Sequence, residues 1–428
     1  MEVSPVPCTK SELDIFASPP LQTAIEDGEW IEYHPVTHIT ANSPIQFHIA
    51  GNSDYYLDLA QSYLLVTVKL KKTDGSAIVD AEKVGPVNLL LHSLFAEVEV
   101  SLNEKIITPS NNTYPYRSYF ETVLNYGSDA KQSKLTAELY YMDEAAKINS
   151  LDNEGLLARR VMVLEHGSVE MMGKLHCDIF MQPKLILNQV DCKIKLHRSK
   201  PEFYTMATED KYRIEIEEAK LLIRKEKPSI AVQLAHEKAL LRGNAKYPIQ
   251  RTVCKVLTVP RGNLMFSQDN VYQGQIPNRI VIGMVDDAAF NGNVMKNPFN
   301  FHHYDVNYLG VYIEGKPVPH KPLTPDFEKG RFIQAYNSIF QALGKATGDH
   351  GNFISRSEYK NGYSLFAFDL TPDSCDGGYF TQLKKGNLRL ELHFAKALPE
   401  TIAILILAEF QNVIEIDKSR NVIFDFGQ

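Results

Sequence analysis

Glu97-Val98-Glu99-Val100-Ser101-Leu102 runs into the turn Asn103-Glu104-Lys105, and the chain later repeats the same plan. The second version is Asp305-Val306-Asn307-Tyr308-Leu309-Gly310-Val311-Tyr312-Ile313 with the turn Glu314-Gly315-Lys316. A helix follows each. Tyr116, Tyr119, Phe120, Val123 and Leu124 in one half, and Phe332, Tyr336, Ile339, Phe340 and Leu343 in the other, are spaced to lie on one helical face. Further strands follow in both halves. The offset between matching elements varies from pair to pair, as it does when a duplicated fold carries loops of unequal length. The repetition is therefore one of structure rather than of recent sequence duplication, and it points to a building block rather than a catalyst.

Outward from these units, strand signals dominate. Pro44 to Ile49, Lys193 to Arg198, Arg213 to Glu217 and Leu388 to Phe394 alternate apolar and polar residues, the mark of a half-buried strand. Arg279 to Val285 and Ile402 to Ile416 read as buried strands. The longest solid apolar run, Ile402 to Ala408, falls well short of the ~20 residues that span a bilayer. Trp30-Ile31-Glu32-Tyr33 opens the first strand, and Ser62 to Leu70 ends in Lys72-Thr73-Asp74-Gly75, where Asp-Gly tolerates positive φ. Val161 to Leu164, Lys174 to Phe180, Ala219 to Lys225, Arg251 to Leu257 and Ser364 to Leu370 read as further strands. Asn125 to Arg160 reads as a charged, partly helical excursion and Ile230 to Leu241 as helical. Asp286 to Phe301 reads as a Gly/Asn-rich loop and Gly344 to Gly362 as a polar loop. Many short alternating strands predict an all-β chain: two tandem jelly-roll β-sandwiches, a double jelly roll, each with a short inserted helix. The expected divisions are an N-terminal arm over 1–29, broken by Ser18-Pro19-Pro20; a first jelly roll over 30–228; a linker over 229–247; and a second jelly roll over 248–428.

The 428 residues suffice for two or three domains, each large enough to bury most of its apolar surface without staples. Hydrophobic residues at 44% and charged residues at 23% are ordinary for a globular protein. The net charge of −7 argues against a direct grip on nucleic acid, and the short basic stretches Arg224 to Lys227 and Lys69 to Lys72 read as solvated strand ends. Five cysteines, Cys8, Cys177, Cys192, Cys254 and Cys375, are odd in number and widely spaced, without a CxxC. This argues against a disulfide framework or a zinc site and suits reduced thiols in an intracellular assembly compartment. Met1-Glu2-Val3-Ser4-Pro5 lacks the basic and apolar regions of a signal peptide.

Groups for chemistry are sparse. GxSxG, GxxxxGKS/T, HExxH and GxGxxG do not occur. His302-His303 are neighbours, and adjacent strand residues face opposite ways, so they read as surface or interface histidines rather than chelators. Asp286-Asp287 reads as turn chemistry. Cys375 lies in Asp373-Ser374-Cys375-Asp376-Gly377-Gly378, where flanking acids raise a thiol pKa, the wrong direction for a nucleophile. Tyr304, Tyr308 and Tyr312 have the rings to stack on sugars, but strand alternation favours packing. No catalytic, cofactor-binding or metal-binding residue is assigned, no cofactor is expected, and the chain does not read as an enzyme.

A family resemblance rests on motifs in shared order. Ser11 to Phe16, Pro19-Pro20, Trp30-Ile31-Glu32-Tyr33-His34-Pro35 and Asp54-Tyr55-Tyr56-Leu57-Asp58-Leu59 resemble the N-terminal region of major capsid proteins of Polinton (Maverick) elements and adintoviruses. Leu91-His92-Ser93-Leu94-Phe95, Leu102-Asn103, Asn112 to Arg117 and Leu124-Asn125-Tyr126-Gly127 continue the likeness. Gly386 to Glu391, Leu398-Pro399-Glu400 and Ile414 to Arg420 close it. That family is similar to the double jelly-roll capsid proteins of adenoviruses, virophages and other large DNA viruses. The resemblance implies a homotrimer forming a pseudo-hexameric capsomer that tiles an icosahedral shell around double-stranded DNA. The implied partners are further copies of the chain, in the trimer and in neighbouring capsomers, and a minor or vertex capsid protein. No sequence-specific nucleic-acid binding and no transmembrane segment are expected. The implied location is the virion, assembled inside the host cell in cytoplasm or nucleus. Independently, two like sandwiches in each of three chains would supply six like walls, and cyclic symmetry closes them. The alternatives are a vertex-forming minor capsid protein, a carbohydrate- or receptor-binding β-sandwich module, and a jelly-roll enzyme.

Overall fold

The computed structural model describes residues 10–426 except 17, 42, 77, 80, 81, 320, 350 and 373–378. The first half contributes β1 (Ile25–Tyr33), β2 (Ile45–Ile49), β3 (Tyr56–Lys72), β4 (Val84–Pro86), β5 (Phe95–Leu102), β6 (Lys105–Ile106), β7 (Val169–Gly173), β8 (Cys192–Arg198), β9 (Thr205–Ala207) and β10 (Tyr212–Pro228). The second contributes β11 (Ala245–Val259), β12 (Met265–Gln275), β13 (Arg279–Asp286), β14 (Val306–Ile313), β15 (Lys316–Pro317), β16 (Leu365–Asp369), β17 (Lys385–Phe394), β18 (Ile402–Ile416) and β19 (Val422–Ile423).

The pairing repeats. The first half forms sheets β1-β10-β3-β7 and β2-β8-β5-β6, the second β11-β18-β13-β16 and β12-β17-β14-β15. With the small β4–β9 ribbon and β19 set aside, each half has eight strands in sheet orders 1-8-3-6 and 2-7-4-5. That is the strand order of a jelly roll, made twice, and the chain is a double jelly roll.

The repeated strand-turn units occupy equivalent places. Leu102 pairs with Lys105 across Asn103-Glu104, and Ile313 pairs with Lys316 across Glu314-Gly315. All four loop residues have positive φ, the twist that a two-residue hairpin loop needs to match its strands. The helices Tyr114–Asn125 and Ile333–Gln341 each follow the hairpin and precede the sixth strand of their half. Along the strands, Phe47, Val66, Val68, Val98, Val100, Ile194 and Leu196 are buried, with intermediate or exposed residues between them. Period two thus places one face inward. The buried apolar side chains form one cluster that runs through both halves.

Several elements differ from the sequence reading. The first strand starts at Ile25, before Trp30, because Ile25 and its successors pair with Pro228 and the preceding residues of β10. Val161 to Leu164 belongs to the helix Glu154–Leu164, not to a strand. Asn153 caps that helix, accepting from the Gly155 amide, and Leu156, Arg159 and Val163 are buried at helical spacing. The strand expected over Lys174 to Phe180 lies earlier, at β7, and Asp178–Phe180 is a 3-10 turn. The Asp286 to Phe301 loop contains the helix Asp287–Asn291, and the Gly344 to Gly362 loop contains Arg356–Lys360, opened by a Ser355/Glu358 capping box. The segment 229–247 carries the helix Ile230–Leu240, and its last three residues already belong to β11. Strand β12 was not anticipated.

Gly283 marks the tightest contact of β13: a Cβ there would stand 2.7 Å from the Phe301 ring and 2.9 Å from Leu365. Gly283→Ala is therefore expected to lower unfolding free energy by about 1–3 kcal/mol through overpacking. Gly243→Ala, where a Cβ meets nothing within 4 Å, leaves stability near wild type. Urea unfolding followed by fluorescence distinguishes the two.

Candidate functional site

The feature with most functional content is the seam between the sandwiches. The helix Tyr114–Asn125 starts with Pro115 in its first turn, where a missing amide costs nothing. Its one-faced apolar stripe turns toward the second half. Tyr119 stacks on Phe299 with centroids 4.2 Å apart and planes 1° from parallel, Tyr116 lies 5.5 Å from Phe290, and Phe120 lies 5.1 Å from Phe301. Tyr116, Tyr119, Phe120, Phe299 and Phe301 are all buried. The helix thus fastens one jelly roll to the other and does not merely cap its own.

Polar groups cross the same seam. Arg117 donates through Nε to Glu121 at 2.9 Å and through a terminal nitrogen to Asp178 at 2.7 Å, and Asp178 accepts from the Thr252 amide of β11 at 3.1 Å. Burial pushes the Asp178 carboxyl up, against the Arg117 charge. Arg159, fully buried, bonds Pro86 O, Tyr141 O and Asp143, while Asn297 Nδ2 reaches Asp143 at 3.4 Å. Lys131 Nζ donates to Val123 O and Asn352 O, and Lys345 Nζ to Leu124 O and Asn125 O. Two lysines, one from each half, thereby satisfy the carbonyls at the end of the same helix. Burial, and then the neighbouring Lys345 charge, lower Lys131 to about 7. A cavity of about 430 Å³ opens beside these groups, lined by Arg117, Glu121, His176, Thr252, Arg279 and Glu409.

The residues weighed from sequence fall elsewhere. His302 lies edge-on to Tyr304, while His303 stacks on Phe327 at 3.9 Å and accepts the Asp305 amide through Nδ1 at 2.9 Å, so the two rings face different neighbours. Burial lowers both, His303 to about 4. Asp286 does perform turn chemistry, capping Asp287–Asn291 by accepting from the Ala288 amide at 2.8 Å. It also pairs with Lys296, which reaches Glu400 at 3.3 Å, and Glu400 accepts from Tyr304 OH at 3.0 Å. Burial and then the Asp286 hydrogen bond raise Glu400. Tyr308 and Tyr312 hydrogen-bond each other through their hydroxyls, and Tyr308 stacks on His393 at 4.6 Å. The Cys375 segment lies outside the described residues, as does Cys8. Cys177, Cys192 and Cys254 are buried free thiols, pushed up to about 12 by burial.

Among the described residues, sequence reasoning missed two groupings of possible metal ligands. In the more buried of them, His92, Glu138 and His176 bring one potential ligand atom each within 4.8 Å of the others. They come from the short helix Leu90–Ser93, the 3-10 turn Lys134–Glu138 and the loop after β7. The available signal was a histidine set in the apolar run Leu89-Leu90-Leu91-His92, since a buried imidazole needs polar partners.

No family model matches the chain. It is 25% identical over 421 residues to the Caenorhabditis elegans protein F54H12.2, covering 95% of this chain and 99% of that one. Among solved structures, it matches a chain of the Sputnik virophage at TM-score 0.64 and 9% identity, covering 99% of this chain and 94% of that one. The PBCV-1 VP54 crystal structure fitted into a Sputnik reconstruction gives TM-score 0.61 at 10% identity, covering 96% of this chain and 100% of that one. The mavirus major capsid protein gives 0.54 at 10% identity, covering 99% and 96%. These likenesses extend over both jelly rolls and establish the shared fold.

Two outcomes follow from the seam and its surroundings. Phe299→Ala removes a fully buried ring between the halves and should cost about 3–5 kcal/mol, read by chemical unfolding. His303, neutral in the fold down to about 4, must gain a proton on unfolding below its ordinary 6.5. Its contribution is therefore present above pH 6.5 and is lost as pH falls from 6.5 toward 4. His303→Asn, which keeps an acceptor for the Asp305 amide but loses the stack on Phe327, should lower the melting temperature by a similar amount at all pH above 6.5 and flatten its dependence on pH between 6.5 and 4.

Proposed function

We propose that this chain is a structural major capsid protein, not an enzyme. It homotrimerises into pseudo-hexameric capsomers that tile an icosahedral shell around double-stranded DNA. The observation that carries the reading is the pair of jelly rolls with identical strand order, joined by a buried seam, together with end-to-end fold likeness to viral major capsid proteins. Three chains supply six walls of one design, and a closed cyclic arrangement of such walls has a near-hexagonal outline. The order of motifs resembling Polinton and adintovirus capsid proteins supports membership of that lineage. The protein works in the virion, after assembly in the cytoplasm or nucleus of its host cell. Its partners are its own copies and a minor protein at the vertices. Among the described residues, 10–24 act as the arm, 25–228 and 245–426 as the two walls, and 229–244 as the linker between them.

An apolar patch favours self-association. Leu157 and Val161, one turn apart on the helix Glu154–Leu164, are 39% and 53% exposed, an apolar pair that self-association would cover. The pairing of Tyr308 with Tyr312 and His393 weighs against a sugar-stacking platform, because those rings already serve one another.

The purified chain is expected to scatter light as a trimer at micromolar concentration and to show six-sided particles in negative-stain micrographs. A monomer that persists at every concentration and ionic strength would sink the assignment.

A further inference from the structure

At the end of the first jelly roll, three segments distant in sequence converge on one point. His92 Nε2 stands 3.3 Å from Glu138 Oε2, and the His92 and His176 rings meet edge to face with centroids 4.6 Å apart. His92 is fully buried, and the Glu138 and His176 side chains are 12% and 6% exposed. Each imidazole is held by its other nitrogen. Glu121 grips His176 Nδ1 at 2.6 Å, and the Tyr114 hydroxyl meets His92 Nδ1 at 2.9 Å. A carboxylate behind a histidine is the outer-shell arrangement that orients metal-bound imidazoles.

Two further observations are independent of that geometry. Gly173 leaves the space that the Glu138 side chain fills: a Cβ there would lie 2.6 Å from Oε1 and 2.7 Å from Cδ. The backbone of β7 is thus shaped to admit this carboxylate. Arg117 is already committed to Glu121 and Asp178, and the hydrogen-bond partner of Glu138 is a histidine, His92. A largely buried carboxylate is stabilised by a cation, and a divalent ion between Glu138 and the imidazoles would supply one.

We propose that His92, Glu138 and His176 form a structural site for a borderline divalent transition metal, Zn²⁺ being the best match to two imidazoles and one carboxylate. Ligand atoms around tetrahedral zinc stand about 3.4 Å apart, so a set already within 4.8 Å closes on the ion with side-chain shifts of about 1 Å. The ion would tie the loop before β5, the excursion after the helix Tyr114–Asn125 and the loop after β7 into one end of the wall. Glu121 and Tyr114 are positioning residues. The other grouping of this type among the described residues, Glu97, Glu99 and His197, lies on a sheet face where Glu99 is already ion-paired with Lys195 at 2.6 Å, and it serves as the internal competitor.

The full-length protein is stripped with chelator, dialysed against Zn²⁺ alone, and its metal content measured. A parallel sample is titrated with Co²⁺ and its visible ligand-field absorption recorded. About one Zn²⁺ per chain, a Co²⁺ band of low-coordinate type and a rise in melting temperature on metal addition are expected. Glu138→Gln, which keeps the side-chain shape and an acceptor for His92, should abolish retention and the band while matching the melting temperature of the stripped wild type. Glu121→Gln should weaken binding about 10- to 100-fold without removing it. Should His92 variants fail to fold, Glu138→Gln and His176→Gln decide the matter. The site is overturned by a wild-type chain that retains no Zn²⁺, or by retention that survives Glu138→Gln and His176→Gln, which would place the metal elsewhere, with Glu97, Glu99 and His197 the next set to substitute. Either result leaves the capsid reading intact, since that reading is tested by trimerisation.

Discussion

Everything in this molecule depends on the burial of one helix face against the other sandwich. A jelly roll has two sheets and satisfies its own core, so two of them in one chain need not touch. Here Tyr116, Tyr119 and Phe120 take their aromatic partners from Phe290, Phe299 and Phe301, beyond the linker. A buried aromatic removes some 150–250 Å² from water, and offset-stacked or edge-to-face pairs add a further increment for geometry. A seam of six rings, five of them fully buried, turns two domains into one body. The angle between the walls is then set by close packing, which yields little to small forces, rather than by the linker over 229–247.

The charged groups at that seam serve orientation more than stability. A buried ion pair replaced by well-fitted apolar residues often gains stability, whereas removal of one partner costs about 3–5 kcal/mol. Arg117 and Arg159 are each held by several acceptors at once. Such forks accept one arrangement of their neighbours and reject displaced ones. Lys131 and Lys345 act in the same way on the final carbonyls of the helix Tyr114–Asn125. Apolar area holds the sandwiches together, and these hydrogen-bonded cations fix their register.

The repeated hairpin, the amphipathic helices and the period-two strands were legible because each depends on local spacing. A two-residue loop and an alternating face leave their pattern wherever they occur. Strand β12 left none. It is an edge strand bonded only to β17, its register slips between Gln268 and Tyr272, and Asn270 turns to positive φ, so exposed polar residues fill it. Edges need not alternate, since neither face must be buried along their whole length. Val161 to Leu164 misled for the opposite reason: β-branched residues suggested a strand, but the Asn153 cap and burial at Leu156, Arg159 and Val163 impose a helix. The grouping of His92, Glu138 and His176 was beyond sequence reasoning, because its members are brought together by loop packing rather than spacing.

The same division between frame and loops explains how a duplicated fold can work as two unlike halves. Eight strands per half keep their order, while the segment between the hairpin and the sixth strand differs in content: several helices and the Arg159 network in one half, Ile333–Gln341 and Arg356–Lys360 in the other. These insertions meet each other across the seam, through Lys131 with Asn352 and Lys345 with Leu124. Identical insertions would have to be self-complementary at that contact, whereas divergent ones can be complementary to each other. Duplication supplies two equivalent walls, and divergence of the loops makes the joint between them specific. In a ring of three chains, that joint inside each chain would differ from the joint between chains, so the assembly would have three-fold rather than six-fold symmetry despite six walls of one design.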